Sequence, residues 1–470
     1  MVAPTRSVRV FALASALLAA SVHAASIDSN PVTLVEDIVP LSHTHPAFGA
    51  EVPDVAVAYV VATPENNNST AARELEEGNK DIERLEAYFN TKMTINFREL
   101  QKDQYKKGAM ATAPWPSSYW PIYQDGINAR WDVNEDSPAI KYARAFGLDV
   151  KTFTTQISES TGVLSQKRRQ ECAETRDCTS LNDGSFCGKR EGETNGYCIP
   201  GWFGICHAWA PASFLEVEPK CPVQRGDVTF QPMDIKALMT QVYDGVYVET
   251  VFTAARFNGP NDPAELDDYG RYTNPARRDL GPGFFHIAVT NIMGRFKKGF
   301  IVDVAASAEV WNQPVRGFEV VEMKEVDEKT TSQYYFGKKE YPFNSKMKYL
   351  AYVKMRFSWI VESLENGPLV ATGRVDAYTQ SATYEYLLEL DRNRNIIGGE
   401  WVGDSRYNHP DFLWFPTKKP SANSETATGI KYSNVQQLVQ QSLKCEPIPT
   451  PAPSTPAPTT TAPATTTPAS

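Results

Sequence analysis

Seven cysteines constrain this chain more than any other feature: Cys172, Cys178, Cys187, Cys198, Cys206, Cys221 and Cys445. What they can do depends on the compartment, and the N-terminus speaks to that. Arg6 and Arg9 lead into the apolar run "VFALASALLAASV", and Val22 and Ala24 then place small side chains before a cut after residue 24. A basic start, a short apolar run and a small-residue site predict a secretory signal peptide over residues 1–24. The run is shorter than the roughly 20 apolar residues a membrane helix needs, and no later run reaches that length. In an oxidising compartment six cysteines close three bridges and one is left over. Spacing alone does not assign the pairs.

The rest of the chain divides by composition. The net charge of -9 offers no basic field to meet phosphates, which excludes a general nucleic-acid binder. Residues 25–105 are expected to be a leader or prosegment. They carry two Asn-x-Ser/Thr sequons, headed by Asn67 and Asn68, and an amphipathic helix with Ile82, Leu85 and Phe89 on one stripe. An ordinary first helix of the main domain is the alternative. Residues 106–445 form the expected catalytic domain, with a disulfide-rich segment at 170–221. That segment has too few apolar residues to hold itself together, so bridges must do so. It contains no CxxC pair, which argues against zinc.

β-branched and aromatic runs follow: "GVYVETVFTAARF", "GFFHIAVTNIMG", "GFIVDVAAS", "YLAYVKMRFSWIVES" and "VATGRVDAYTQSATYEYLLELD". All five read as strands. Helices early and strands late make the class α+β. Residues 446–470 are Pro/Thr/Ala repeats with no core-forming side chains, an extended tail outside the fold.

The chemistry centres on "GWFGICHAWAPASF", residues 201–214. Gly201 and Gly204 permit a sharp turn, and the residues after Cys206 can be helical. A thiol at a helix start gains from the partial positive charge there. The competing reading is a bridge to Cys198 or Cys221. If Cys206 is a nucleophile it needs a base. His207 is adjacent and points a different way on a helix. His43 and His45 lie in the leader, which leaves His286 and His409. His286 in "GFFHIAVTNIMG" and Asp303 in "FIVDVA" fall on two predicted neighbouring strands, where a carboxylate orients an imidazole. His409, with Asp411 near it, is the second choice. Asn312 is a further residue that could orient His286 in place of Asp303.

Residues 310–322, "VWNQPVRGFEVVE", closely resemble the thirteen-residue peptide of the oomycete transglutaminase elicitor family. These are secreted cell-wall glycoproteins that plants detect as a danger signal. The segment departs from the family peptide at Glu319 and Val321, where Lys and Tyr are expected. "PWPSSYWPIYQDGIN" and "GWFGICHAWAPA" extend the resemblance to roughly residues 110–445. It implies a divergent cysteine-protease or transglutaminase-like core with disulfide-stapled loops. It also implies a protein-glutamine γ-glutamyltransferase, made as a proenzyme and stimulated by calcium. Its triad falls on Cys206, His286 and Asp303, and its elicitor epitope on Trp311, Asn312, Gln313, Pro314, Val315, Arg316, Gly317 and Phe318. The partners it implies are protein glutamine and lysine side chains and a plant cell-surface receptor, with no nucleic acid or membrane.

For calcium, "NGPNDPAELDDYG" offers Asp262, Glu265, Asp267 and Asp268 as hard oxygen ligands, at a spacing that fits no EF-hand. The competing functions are a secreted papain-like cysteine protease and a non-enzymatic cell-wall elicitor protein.

Overall fold

The computed structural model describes residues 39–51 and 70–445. The expected signal peptide, both sequons and the Pro/Thr tail lie outside them. Among the described residues no helix is long and apolar enough to cross a membrane.

The helices are α1 (Thr70–Phe89), α2 (Pro138–Ala145), α3 (Val150–Thr161), α4 (Cys206–Leu215), α5 (Pro232–Gly245), α6 (Pro282–Val289), α7 (Glu328–Phe336) and α8 (Tyr432–Ser442). The strands are β1 (Val39–Pro40), β2 (Lys107–Ala109), β3 (Glu171–Cys172), β4 (Ser185–Gly188), β5 (Gly196–Pro200), β6 (Val223–Arg225), β7 (Val228–Phe230), β8 (Glu249–Thr253), β9 (Ile301–Asp303), β10 (Asn312–Val326), β11 (Tyr349–Ile360), β12 (Thr379–Leu390), β13 (Ile396–Trp401) and β14 (Leu413–Pro416). Nine strands make one antiparallel sheet in the order β1-β8-β14-β9-β10-β11-β12-β13, with β2 also on β10. The α+β class holds.

The sequence explains these elements locally. Ser137 accepts from the Ile140 N–H and starts α2 at Pro138, while the left-handed Gly147 lies just past its end. β11 and β12 are rich in aromatic and branched apolar residues, and β10 extends alongside β11 despite Pro314 and Gly317. β11 and β12 pair in continuous register from Tyr349–Leu390 to Ile360–Thr379, while β10 pairs with β11 through register shifts at Val315/Gly317 and Val320/Glu322. Helix α4 is buried on every side from Cys206 to Ser213, so its all-round apolar sequence suits the centre of the molecule.

One expectation changes. "GFFHIAVTNIMG" is helical: α6 is followed by a π-type turn over Thr290–Arg295. Its residues are buried all round, which removes the periodicity that separates a helix from a strand. Pro282 at the first turn was the available signal for a helix start. Leu85, Phe97 and Leu100, within the expected leader, are buried in the main core together with Leu41 and Ala47.

The disulfide-rich segment is a small sheet, β3-β5-β4, closed by Cys172–Cys187 and Cys178–Cys198. Cys221–Cys445 ties α8 back to the loop before β6. Cys206 is left free and buried, as the odd count required. Thiol titration of the denatured, unreduced protein is therefore expected to give one thiol per chain, and none for Cys206→Ala. A wild-type count of zero or three would contradict this pairing.

Candidate active site

Cys206 is the first residue of α4, entered through a tight turn at Gly204. Gly204 has to be glycine: a Cβ there would lie 2.5 Å from the Tyr119 ring and 2.6 Å from its carbonyl oxygen. The turn brings the thiol against the start of β10. Asn312 Nδ2 donates to Cys206 Sγ at 3.3 Å, and Sγ faces the Val310 carbonyl at 3.7 Å. The Trp414 indole N–H, on β14, donates to Asn312 Oδ1 at 2.8 Å.

Asp303 is Asn312's register partner on β9. Its Oδ1 accepts the Trp311 N–H at 3.1 Å, while Oδ2 is buried with no hydrogen-bond partner. Burial lifts this carboxyl above the ordinary carboxylate range, against the Trp311 and Ala305 N–H groups and the buried Arg256 guanidinium. Asp411 is also lifted, by burial and then by Asp303. Trp311 and Tyr119 are half-buried and meet ring to ring at 5.4 Å.

The groove over the thiol is filled by the chain's own leader. Asn312 Nδ2 donates to the Ala47 carbonyl at 2.7 Å. Gly49 lies directly on the thiol, where a Cβ would be 3.0 Å from Sγ and 2.4 Å from the Gly204 oxygen. The Gly204 N–H donates to the Gly49 carbonyl at 2.8 Å. Arg256 donates to the carbonyls of Pro46 at 3.2 Å, Phe48 at 2.9 Å and Ala50 at 3.0 Å. His45 is fully buried and its Nε2 meets the Thr250 hydroxyl at 2.9 Å. Burial pushes the Cys206 thiol up to about 11, against the hydrogen bonds from Asn312. Burial thus favours the thiol over the thiolate.

The triad expected from the sequence is only partly assembled. Cys206 and Asp303 share the site, and the charge of Asp303 acts on the thiol. His286 is elsewhere. It sits on α6, with Nδ1 at 2.8 Å from the Tyr386 hydroxyl and Nε2 unpartnered. Burial holds it down to about 3. The hairpin that would have set it beside Asp303 does not exist, because its segment is helical. His409 does not serve either: its ring nitrogens face the Ser405 carbonyl at 3.0 Å and the Arg277 carbonyl at 2.8 Å. His207 is held between Asp244, at 3.0 Å from Nε2, and the Gly49 N–H, at 3.0 Å from Nδ1. Among the described residues no imidazole is hydrogen-bonded to Cys206.

In the acidic loop, Asp267 is engaged within the protein. Asp267 accepts from Arg271 Nε at 2.7 Å and from the N–H groups of Tyr269 and Arg271. Among the described residues, the one cluster with metal-ligand spacing is Cys172, Cys178 and Cys198, which are already in disulfides. Among the described residues, Asp262, Glu265, Asp267 and Asp268 are not grouped at metal-ligand distances.

The peptide-like segment occupies the site itself. Asn312, Gln313, Pro314, Val315, Gly317 and Phe318 are buried, and Trp311 and Arg316 are half-buried. Glu319 pairs with Arg356 across the sheet, and Val321 is exposed.

A free cysteine at a helix start, facing a carboxamide on β10 and a carboxylate on the neighbouring β9, is an arrangement suited to thiol chemistry. The family model described as "Transglutaminase elicitor" matches residues 81–445, and the chain belongs to that family. The crystal structure of the GP42 transglutaminase from Phytophthora sojae superimposes with a TM-score of 0.70 at 46% identity, covering 81% of this chain and 100% of that one. No curated protein matches.

His286 is buried in the core against the Tyr386 hydroxyl. His286→Ala would strand the buried Tyr386 hydroxyl and open a cavity, costing about 2–4 kcal/mol. Urea unfolding is expected to show that loss, while iodoacetamide alkylation of Cys206 in the folded state stays within about twofold of the parent. A large change in Cys206 reactivity at unchanged stability would restore His286 to the site.

Proposed function

We propose that this chain is a secreted protein-glutamine γ-glutamyltransferase held latent by residues 45–50. The observation that carries this reading is the free Cys206 thiol at the start of α4, with Asn312 N–H groups directed at its sulfur, in a chain of this family. The signal-peptide pattern supports secretion.

In the open form, Cys206 Sγ attacks Cδ of a protein glutamine. The S–C bond forms, the carbonyl electrons move to oxygen, and collapse breaks the C–N bond. Asp303, whose carboxyl burial raises above the ordinary range, takes up the thiol proton and delivers it to the departing ammonia. A lysine amine then attacks the thioester, freeing Cys206 and leaving a Gln–Lys isopeptide.

In the closed form no glutamine reaches the sulfur. Opening also rehydrates Cys206, so the thiol returns toward the ordinary range and thiolate becomes accessible. Gly49→Leu tests this in the full chain, because a side chain there collides with the Gly204 backbone and must lift the leader. Amine incorporation into a glutamine-bearing protein is expected to rise at least about tenfold, and the pH midpoint of Cys206 alkylation to move well below the closed form's. Cys206→Ser should abolish the activity of either form. Unchanged incorporation in a folded Gly49→Leu chain would end the latency proposal. Peptide cleavage without cross-linking would replace the transferase by a protease.

Recognition by a plant cell-surface receptor through residues 310–322 belongs to the same proposal. Because most of residues 311–318 are buried in β10, a receptor that reads them meets an unfolded or cleaved chain. Heat-denatured or proteolysed protein is therefore expected to elicit a stronger response from plant cells than the same amount of folded protein. Equal responses would place the epitope on the folded surface.

A further inference from the structure

The Asn312 carboxamide has its orientation fixed by chemistry. An indole N–H can only donate, so the atom 2.8 Å from Trp414 Nε1 is Oδ1. The amide nitrogen therefore faces the thiol. It has two protons and two acceptors: Cys206 Sγ at 3.3 Å and the Ala47 carbonyl oxygen at 2.7 Å. Asn312 and Trp414 are both fully buried, each on a strand of the large sheet. The donor is thus held in place before any substrate arrives, as electrostatic stabilisation of a developing charge requires.

One N–H₂ group therefore holds both the nucleophilic atom and an acyl oxygen. The peptide that supplies this oxygen is the leader stretch whose Gly49 rests on the sulfur. The start of α4 lies on the same side, and the first N–H groups of a helix have no partner within it. An acyl carbon attacked by Sγ would have its oxygen close to both donors. The arrangement is a hydrogen-bonding cradle for a carbonyl, already occupied by one.

We propose that Asn312 is the side-chain donor of the oxyanion site, and that the Ala47 carbonyl oxygen marks where the γ-carboxamide oxygen of a protein glutamine binds. This rests on the transferase reading of Cys206. As the S–C bond forms, the carbonyl π electrons move onto oxygen, and Asn312 Nδ2–H donates to the resulting anion. As the tetrahedral adduct collapses, those electrons re-form C=O, the C–N bond breaks, and ammonia leaves with the proton held by Asp303. Asn312 gives up no proton and returns unchanged. This assigns β10 a direct part in the reaction through its first residue, 106 positions away from Cys206 in sequence.

The test compares a step that makes an oxyanion with one that does not, in the full chain and in its Gly49→Leu form. Acylation of Cys206 is followed as the burst of p-nitrophenolate from p-nitrophenyl acetate, and as ammonia release from a glutamine-containing peptide. Alkylation by iodoacetamide, which passes through no oxyanion, is measured as a rate per thiolate from its pH profile. For Asn312→Ala the acylation rate constant is expected to fall about 10²–10³-fold with KM within about threefold, as for loss of one oxyanion donor. Alkylation per thiolate should stay within about threefold. The isosteric Asn312→Asp guards against a folding defect and should lose acylation at least as severely.

Acylation undiminished in both variants, or falling in step with alkylation, would overturn the proposal. If the parent is acylated by the ester but never transfers glutamine acyl groups to an amine, the transferase reading fails. The comparison of variants with the ester still decides the role of Asn312.

Discussion

The hydrogen bond from the Trp414 indole to the Asn312 carboxamide is the interaction on which the site depends. It joins β14 to β10 across β9, and it decides which end of the carboxamide faces the sulfur. With the amide nitrogen turned inward, Cys206 has a donor, and so does any carbonyl set beside it. With the oxygen turned inward, both the sulfur and the carbonyl beside it would lose that donor. An unsatisfied buried indole costs about 1–3 kcal/mol, so the sheet enforces the productive orientation. The helix start of α4 and the Asp303 carboxyl on β9 are useful only because that junction is rigid.

The same junction explains why the leader can close the site so completely. The Asn312 N–H₂, the Gly204 N–H and the Arg256 guanidinium all offer donors along one groove, and residues 46–50 answer with five consecutive carbonyls. These are backbone contacts, the same that an extended substrate chain would make. Burying the thiol under them raises its pKa, so closure blocks access and suppresses thiolate with one set of bonds. Gly49 permits it, because the backbone must approach the sulfur more closely than any side chain allows.

Much of this was legible in the sequence, for reasons that can be named. The odd cysteine count isolated one thiol, and the glycines before Cys206 implied the turn that exposes a helix start. Asp303 stood out as a carboxylate in an apolar strand that needed partners. It has them in the Trp311 N–H and the field of Arg256, and an imidazole is not among them. His286 misled because its segment is apolar on every face, so no period distinguished strand from helix. Asn312 was visible only as a residue that might orient a histidine. Its real neighbours are brought in by strand register, which short motifs do not encode. The leader's grip was illegible because backbone carbonyls leave no mark on residue type.

The central claim is that Cys206 carries the acyl group. It is tested most directly by incubating the full chain and its Gly49→Leu form with a glutamine-bearing peptide in the absence of amine, quenching in acid, and mapping adducts by mass spectrometry. The account predicts a thioester to the peptide's glutamyl group on Cys206, enriched in the Gly49→Leu form and discharged by added amine. A chain that cross-links the peptide to an amine with no adduct on Cys206, or with the adduct on another residue, would contradict it.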